Sequence, residues 1–382
     1  MKKLWVGLGA LITFVLVGLS LTGNMHLIKA VKATYFKGQV TANINDGLGF
    51  RQSTIDAGVY QPFDLHSKYN DIPLNDSLKS YLIEHQSAAF LILKDGKLWH
   101  ESYYGSYNEL SQTNSFSMAK TVITLLVGAA IDDGLIKGFD QPINDFLPEL
   151  KDRANGVTIA QLSSMTSGMD WDENYYSPFS LTPKLYYGSD SETFVLEQKY
   201  HQQPGQSYYY SSASTQLLTV LLTRAIKPSG LTVSGYLSKR LWQPLGMKGD
   251  ALWHTDDKGL ELGYCCISTN AENWAKIGQL LLNNGQWHGQ TIINPEFVRA
   301  IKKTTLVPYY AHSLWVDQRV PATFYGLIGH LGQSTIIHPA QNIVVVRLGE
   351  TRLEDIDEET RPLPTDIEFY SNEVLKMFDL DL

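Results

Sequence analysis

Ser117-Met118-Ala119-Lys120 heads the apolar run Thr121 to Ile131, and the reading of this stretch decides the rest of the chain. Val122, Leu125, Leu126, Ala129 and Ala130 recur at helical spacing, which predicts a buried helix with Ser117 in its first turn. Residues three apart on a helix share a face, so Lys120 stands one turn from Ser117 on the same side. A serine hydroxyl becomes a nucleophile when a base takes its proton, and an amine held one turn away does so without a histidine. Ser117 is the only serine among 382 residues with a lysine three positions on. Both residue types are common enough for one such pair to arise by chance, so the pair by itself does not assign an activity.

Composition narrows the classes. Hydrophobic residues make up 43% of the chain and charged residues 18%, which supports a sizeable core and excludes a disordered chain. A formal net charge of -8 lacks the basic field that nucleic-acid binding needs, so no nucleic-acid partner is expected. The histidines are scattered, with no His-Glu-x-x-His and no Cys-x-x-Cys, and neither metal nor cofactor is expected. Cys265 and Cys266 are adjacent. Neighbouring Cα atoms lie about 3.8 Å apart, short of the roughly 4.4 to 6.8 Å usual for a disulfide, so buried free thiols are expected. No histidine stands nearby in sequence to ionise either one as a nucleophile.

At the N-terminus Lys2 and Lys3 precede an uncharged run from Leu4 to Leu21, whose helix would span about 27 Å of a roughly 30 Å hydrocarbon layer. Weak cleavage sites at Gly18-Leu19-Ser20 and Ser20-Leu21-Thr22 leave a removed signal open, but the length favours an uncleaved anchor. Residues 1–24 are thus expected to tether the protein to a membrane, with everything after Asn24 on the outer side. Residues 25–73 read as an extension, in which the basic stretch Met25 to Lys37 is expected as a solvated helix.

A domain is expected over 74–382. It opens with a helix carrying Leu74, Leu78, Tyr81 and Leu82 behind Asn75 and Asp76 as caps. Ala88 to Leu93 and Lys97 to Tyr104 read as strands joined by Asp95-Gly96, a hairpin signal. Helical texture follows: Thr158 to Thr166, Ser214 to Ile226, Val233 to Leu241 and Asn273 to Asn283, with an aromatic loop from Trp171 to Tyr187. Strands return at Ser313 to Gln318, Thr323 to Ile328, Ser334 to His338 and Ile343 to Leu348, before an acidic loop, Glu350 to Glu359, and a last helix, Asp366 to Phe378. The fold class is α+β. One antiparallel sheet is built from both termini and flanked by helices, with a mostly helical lobe, about 120–262, inserted between them and a cleft at the junction.

Two further clusters carry chemistry. Pro204-Gly205-Gln206-Ser207-Tyr208-Tyr209-Tyr210-Ser211-Ser212 leads into a helix, where a buried tyrosine held near a cation can hand a proton to a leaving group. Three consecutive tyrosines read equally well as core or rim. Gly329-His330-Leu331-Gly332-Gln333-Ser334 lies between two strands, where glycines permit close backbone approach and the Gln333 N–H can join that of Ser117 around an oxyanion. A hairpin turn with a surface histidine explains that stretch as well.

Together and in this order, Ser-x-x-Lys, Pro-Gly-x-x-x-x-Tyr-Ser-Ser and His-x-Gly resemble the serine β-lactamase and penicillin-binding-protein superfamily, in its class C-like esterase and 6-aminohexanoate-oligomer hydrolase branch. Leu147 to Leu150, Thr158 to Leu162, Met165 to Gly168 and Ile277 to Leu282 are similar to the same branch, and the resemblance covers roughly 74 to 380. It implies Ser117 as nucleophile, Lys120 as its base, Tyr210 as proton shuttle and the N–H groups of Ser117 and Gln333 as oxyanion hole. Ser212, His330, Gly332 and Trp171 are expected to meet the substrate. Two positions depart from the lactamase pattern: Ser212 replaces an asparagine, and His330 replaces a lysine that would hold a substrate carboxylate. Histidine is largely neutral at pH 7, which favours esters or linear amides over β-lactams.

The expected function is a membrane-tethered, extracytoplasmic serine hydrolase forming an acyl-enzyme on Ser117 and acting on a small ester or amide. The rival is a binding protein of the same fold that grips an acyl or cell-wall ligand without turning it over. The α/β-hydrolase alternative lacks its Gly-x-Ser-x-Gly elbow. Oligomeric state is not written in the chain.

Overall fold

Asp95 and Gly96 both take positive φ, 52° and 75°, the two-residue turn whose twist suits a hairpin. They join the strands Ser87–Lys94 and Lys97–Tyr103 and start the main sheet. The structure, a computed structural model, describes residues 2–317, 323–353 and 363–380.

In chain order the strands are β1 (Arg51–Ile55), β2 (Ser87–Lys94), β3 (Lys97–Tyr103), β4 (Thr113–Asn114), β5 (Ala251–Thr255), β6 (Ile267–Thr269), β7 (Gln286–Trp287), β8 (Gln290–Thr291), β9 (Trp315–Val316), β10 (Tyr325–Ile328), β11 (Ser334–His338) and β12 (Ile343–Gly349). The helices are α1 (Lys2–Leu21), α2 (His26–Ala33), α3 (Asp76–Glu84), α4 (Ala119–Asp132), α5 (Ile159–Ser163), α6 (Leu181–Tyr187), α7 (Ser191–Leu196), α8 (Ser212–Ala225), α9 (Val233–Leu237), α10 (Ala271–Leu282), α11 (Pro295–Ile301) and α12 (Thr365–Lys376).

The main sheet runs β3-β2-β12-β11-β10-β9, antiparallel throughout and assembled from both ends of the domain. Side chains alternate across a strand, and β12 shows the result. Ile343 and Val345 face one layer with α3 and α12, while Val344 and Val346 face the main core with α4, α8 and α10. Asn75 caps α3 by accepting from Leu78 N at 2.8 Å. Helix α4 is buried on all sides from Ala119 to Ala130, as a helix apolar around its circumference must be.

Several sequence expectations are corrected. A second, four-stranded sheet, β1-β5-β6-β4, was not anticipated, because its strands are short and lack alternation. The second half of the aromatic loop Trp171 to Tyr187 is helix α6, held by packing rather than by a side-chain cap. The helix expected to Leu241 leaves α geometry after Leu237 and continues as one π turn, Ser238–Trp242. The strand expected from Ser313 to Gln318 narrows to β9, and Gln318 lies outside the described residues, as do residues 354–359 of the acidic loop.

The N-terminal stretch also differs. Helix α2 is not solvated all round: it buries His26, Ala30 and Ala33, and β1 pairs with β5. Helix α1 forms and exposes Trp5, Phe14 and Leu21. Among the described residues no single helix is long and apolar enough to cross a membrane. Trp5–Leu21 and His26–Lys37 are so only together, and they meet at a bend of 115°.

Arg347, fully buried on β12, ties the sheet to the turn between β10 and β11. Its guanidinium donates to Leu331 O at 3.0 Å, Gly332 O at 3.1 Å, His85 O at 2.6 Å, Thr351 O at 2.7 Å and Ser87 Oγ at 3.1 Å. Arg347→Met should strand these buried acceptors and lower the unfolding free energy by on the order of 3 kcal/mol or more, read from urea denaturation. A loss below about 1 kcal/mol, the net worth of one ordinary hydrogen bond, would refute this role.

Candidate active site

Ser117 lies in a single turn of 3-10 helix, Phe116–Met118, at the head of α4. The turn is held from three sides. Asn114 Oδ1 accepts from Phe116 N at 2.9 Å, Ser115 N donates to Ile267 O at 3.0 Å, and Ile267 N donates to Ser115 Oγ at 3.1 Å. Phe116 has a φ of 45°, uncommon for a bulky residue and sustained only where the surroundings over-determine it.

Lys120, 1% exposed, points its Nζ at Ser117 Oγ at 3.2 Å, Ser212 Oγ at 3.0 Å and Tyr264 O at 3.1 Å. Burial pulls its pKa down to about 8, against the opposing charge of Glu173. The orientation of the neutral amine follows from its partners. The Tyr264 carbonyl can only accept, and the Ser212 hydroxyl already donates to Glu173 Oε1 at 2.5 Å, so both take N–H bonds from Lys120. The lone pair is left facing the Ser117 hydroxyl.

Glu173 was not singled out in the sequence, yet it organises the site. Its carboxylate accepts from Trp171 Nε1 at 2.6 Å, Tyr175 OH at 2.8 Å, Ser212 N at 2.8 Å and Ser212 Oγ. No local pattern marks it, because only the fold brings position 173 against position 212.

The Tyr210 hydroxyl lies near the Ser117 side chain, which acts on its titration. Its pKa is raised well above the ordinary phenol value, first by burial and then by the charge of Glu173, so it rests as a phenol. The ring stacks on Trp315 at 5.5 Å, and Lys120 Nζ lies 5.1 Å from its centroid.

Across the cleft, a Cβ added at Gly329 would lie 2.4 Å from Ser115 O and 3.3 Å from Phe116 Cβ. Only glycine lets the turn between β10 and β11 approach the Ser117 turn so closely. Gln333 completes the turn: its Nε2 donates to Gly349 O at 2.6 Å, its Oε1 accepts from Gly349 N at 3.1 Å, and its carbonyl accepts from Gly329 N at 2.7 Å. His330 packs against Phe116 and Tyr175, at 5.4 and 5.1 Å between centroids. Desolvation, aided by the nearby Arg352, holds its pKa down to about 3, so it is neutral at pH 7.

Residues 78–362 match the family model described as Beta-lactamase. The chain belongs to this family. Among its relatives is the 6-aminohexanoate-dimer hydrolase of Paenarthrobacter ureafaciens, 25% identical over 297 residues that cover 71% of this chain and 74% of the relative. A candidate 6-aminohexanoate-dimer hydrolase from Bacillus anthracis superposes with a TM-score of 0.72 at 21% identity, over 86% of this chain and 90% of that one. A family VIII carboxylesterase does so with a TM-score of 0.60 at 15% identity, over 77% and 95%. The protein is thus a serine hydrolase of the beta-lactamase family, with the mixed α and β fold of its neighbours.

In this beta-lactamase-family chain the predicted residues Ser117, Ser212 and His330 line one cleft, with Lys120 buried behind Ser117 and Ser212 and the Tyr210 ring 5.1 Å from its Nζ, while Gln333 is not part of the lining. Two expected substrate contacts do not belong to its lining. Trp171, 4% exposed, is spent on Glu173, and Gly332 backs onto Arg347, whose Nη1 would lie 2.3 Å from an added Cβ. The cysteines are also corrected. Cys265 and Cys266 form a disulfide between neighbours, with Cα atoms 3.7 Å apart. Cys266 takes a φ of 78°, a backbone turn that the expectation from ordinary Cα spacing did not consider.

Glu173→Gln tests the electrostatics directly. The charge of Glu173 opposes the desolvation that lowers the Lys120 pKa, so its removal should move that pKa below its native value of about 8. Nitrogen NMR titration of the lysine reads it; an unchanged or higher midpoint would contradict this placement of charge.

Proposed function

We propose that this chain hydrolyses an uncharged ester or linear amide through an acyl-enzyme on Ser117. The observation that carries this reading is the neutral-poised Lys120 amine, 3.2 Å from Ser117 Oγ with its other hydrogens committed elsewhere. In this scheme Lys120 takes the Ser117 proton as Oγ attacks the carbonyl. The N–H groups of Ser117 and Gln333 receive the developing oxyanion. Tyr210, a phenol beside Ser117, donates its proton to the leaving group and recovers one from the Lys120 ammonium that took the Ser117 proton. The relative named 6-aminohexanoate-dimer hydrolase supports a linear amide, and the neighbour named carboxylesterase supports an ester. His330, neutral at the position where a carboxylate-binding lysine stands in the lactamase pattern, supports a substrate uncharged there.

The neutral form of Lys120 is the active one, so turnover should rise with pH through about 8. Lys120→Ala should abolish labelling of Ser117 by a fluorophosphonate, read by intact mass. Tyr210→Phe should lower turnover by about 10²- to 10⁴-fold, and by less for a leaving group that departs unprotonated. Full activity of both variants on an unactivated ester would overturn the scheme, and an unlabelled native protein would favour a binding role.

We further infer that residues 1–24 tether the domain to a membrane with the cleft on the extracytoplasmic side. The uncharged character of Leu4 to Leu21 and the exposure of its apolar side chains support this reading. The full chain should sediment with membranes, and a chain lacking residues 1–24 should be soluble and equally active on a short ester. Recovery of the full chain in the soluble fraction would refute the tether.

A further inference from the structure

Part of the cleft wall comes from outside the matched family region. That region begins at residue 78, yet Ala30, Thr34, Tyr35, Val40, Thr41 and Ala42 line the same cavity as Ser117. The segment is seated, not draped. His26 Nε2 meets Pro178 O at 2.8 Å, and Lys29 Nζ pairs with Asp257 at 2.6 Å. Beyond the wall, Asn114 N donates to Ile44 O at 2.9 Å, and the buried Asp46 accepts from Asn114 Nδ2 at 3.1 Å and Tyr186 OH at 2.7 Å. Asn114 is the residue that shapes the Ser117 turn, so the segment is stitched to the nucleophile's own backbone.

The chemistry of the cavity follows from its lining. Among the described residues that line it there is no aspartate, glutamate, lysine or arginine, and its histidine, His330, is neutral. Aliphatic and tyrosyl surfaces dominate. A charged group entering here would lose water without meeting an opposite charge among the described lining residues, whereas an aliphatic chain gains by burying its methylenes.

We propose that residues 30–42 form a binding subsite for an uncharged, apolar chain of the substrate, and that this segment, rather than the family domain, sets chain-length selectivity. The proposal rests on the hydrolase reading above for its substrate, but its site is defined by the cavity alone. Val40, 68% exposed, accepts substitution without disturbing the fold, and Ala42 at the wall lets a larger side chain fill the space.

The test uses the full chain carrying Val40→Lys or Ala42→Trp, with Val59→Lys, at a position 84% exposed and outside the lining, as control. Hydrolysis of p-nitrophenyl acetate, p-nitrophenyl decanoate and decyl acetate is compared by kcat/KM. Either wall variant should lower kcat/KM for a long-chain substrate by about 10-fold or more, the scale on which an apolar pocket discriminates, with the acetate and the control unchanged. A loss on the decanoate puts the subsite on the acyl side, and a loss on decyl acetate puts it on the alkoxy side. Equal losses on short and long substrates, or no loss on any, would overturn the proposal. Binding of the neutral fluorophore N-phenylnaphthylamine to the same variants in a Ser117→Ala background reads the subsite without turnover. Weakened binding with no native esterase activity would keep the subsite and remove the hydrolase reading. Unweakened binding alongside intact hydrolysis would do the reverse.

Discussion

A primary amine at 1% exposure in the core of the helical lobe is the constraint on which the rest of the site depends. An ammonium there has lost most of its hydration, which is why burial heads the causes that lower the Lys120 pKa. Each neighbour answers that condition. Glu173 supplies an opposing charge close enough to keep the pKa near 8, and by accepting the Ser212 O–H it leaves that hydroxyl oxygen as an acceptor for Lys120. The Tyr264 carbonyl takes the other N–H. What remains is one lone pair with one direction, toward Ser117.

The scaffold delivers these groups from separate places. Lys120 lies in the first turn of α4, buried on all sides, and Ser117 in the 3-10 turn that leads into it, so continuous helical backbone sets their separation. Tyr210 and Ser212 arrive at the start of α8, Glu173 from the loop ahead of α6, and Gln333 from the turn between β10 and β11. That last turn is braced by Arg347 and by the paired bonds between Gln333 and Gly349. Close approach at Gly329 then brings the sheet to the helical lobe. The cleft is therefore a junction between layers, as its position between sheet and inserted lobe demands.

The sequence alone determined what depends on short-range periodicity and on spacing within one element. The Ser117 to Lys120 separation, the capping Asn75, the Asp95-Gly96 turn and the short apolar runs of β2, β11 and β12 were all legible, because local sterics, helix period and β-branched apolar composition encode them. The neutrality of His330 was foreseen from its ordinary chemistry and is reinforced by desolvation among aromatic rings. Tertiary structure alone decided the rest. Strands such as β4 and β6 are two or three residues long, too short to hold a pattern, and exist because each pairs with the other. Glu173 matters through four donors, two of which lie 39 residues on, at Ser212. Trp171 was read as a substrate contact for its aromatic surface, but its indole N–H is committed to that carboxylate. The adjacent cysteines join because Cys266 takes a left-handed φ that no local spacing rule predicts. The cleft wall from residues 30–42 escaped the sequence for the same reason: burial of one face of a short basic helix is decided by the surface it meets, and that surface, Pro178 and the helix α6 that follows it, begins 152 residues beyond His26.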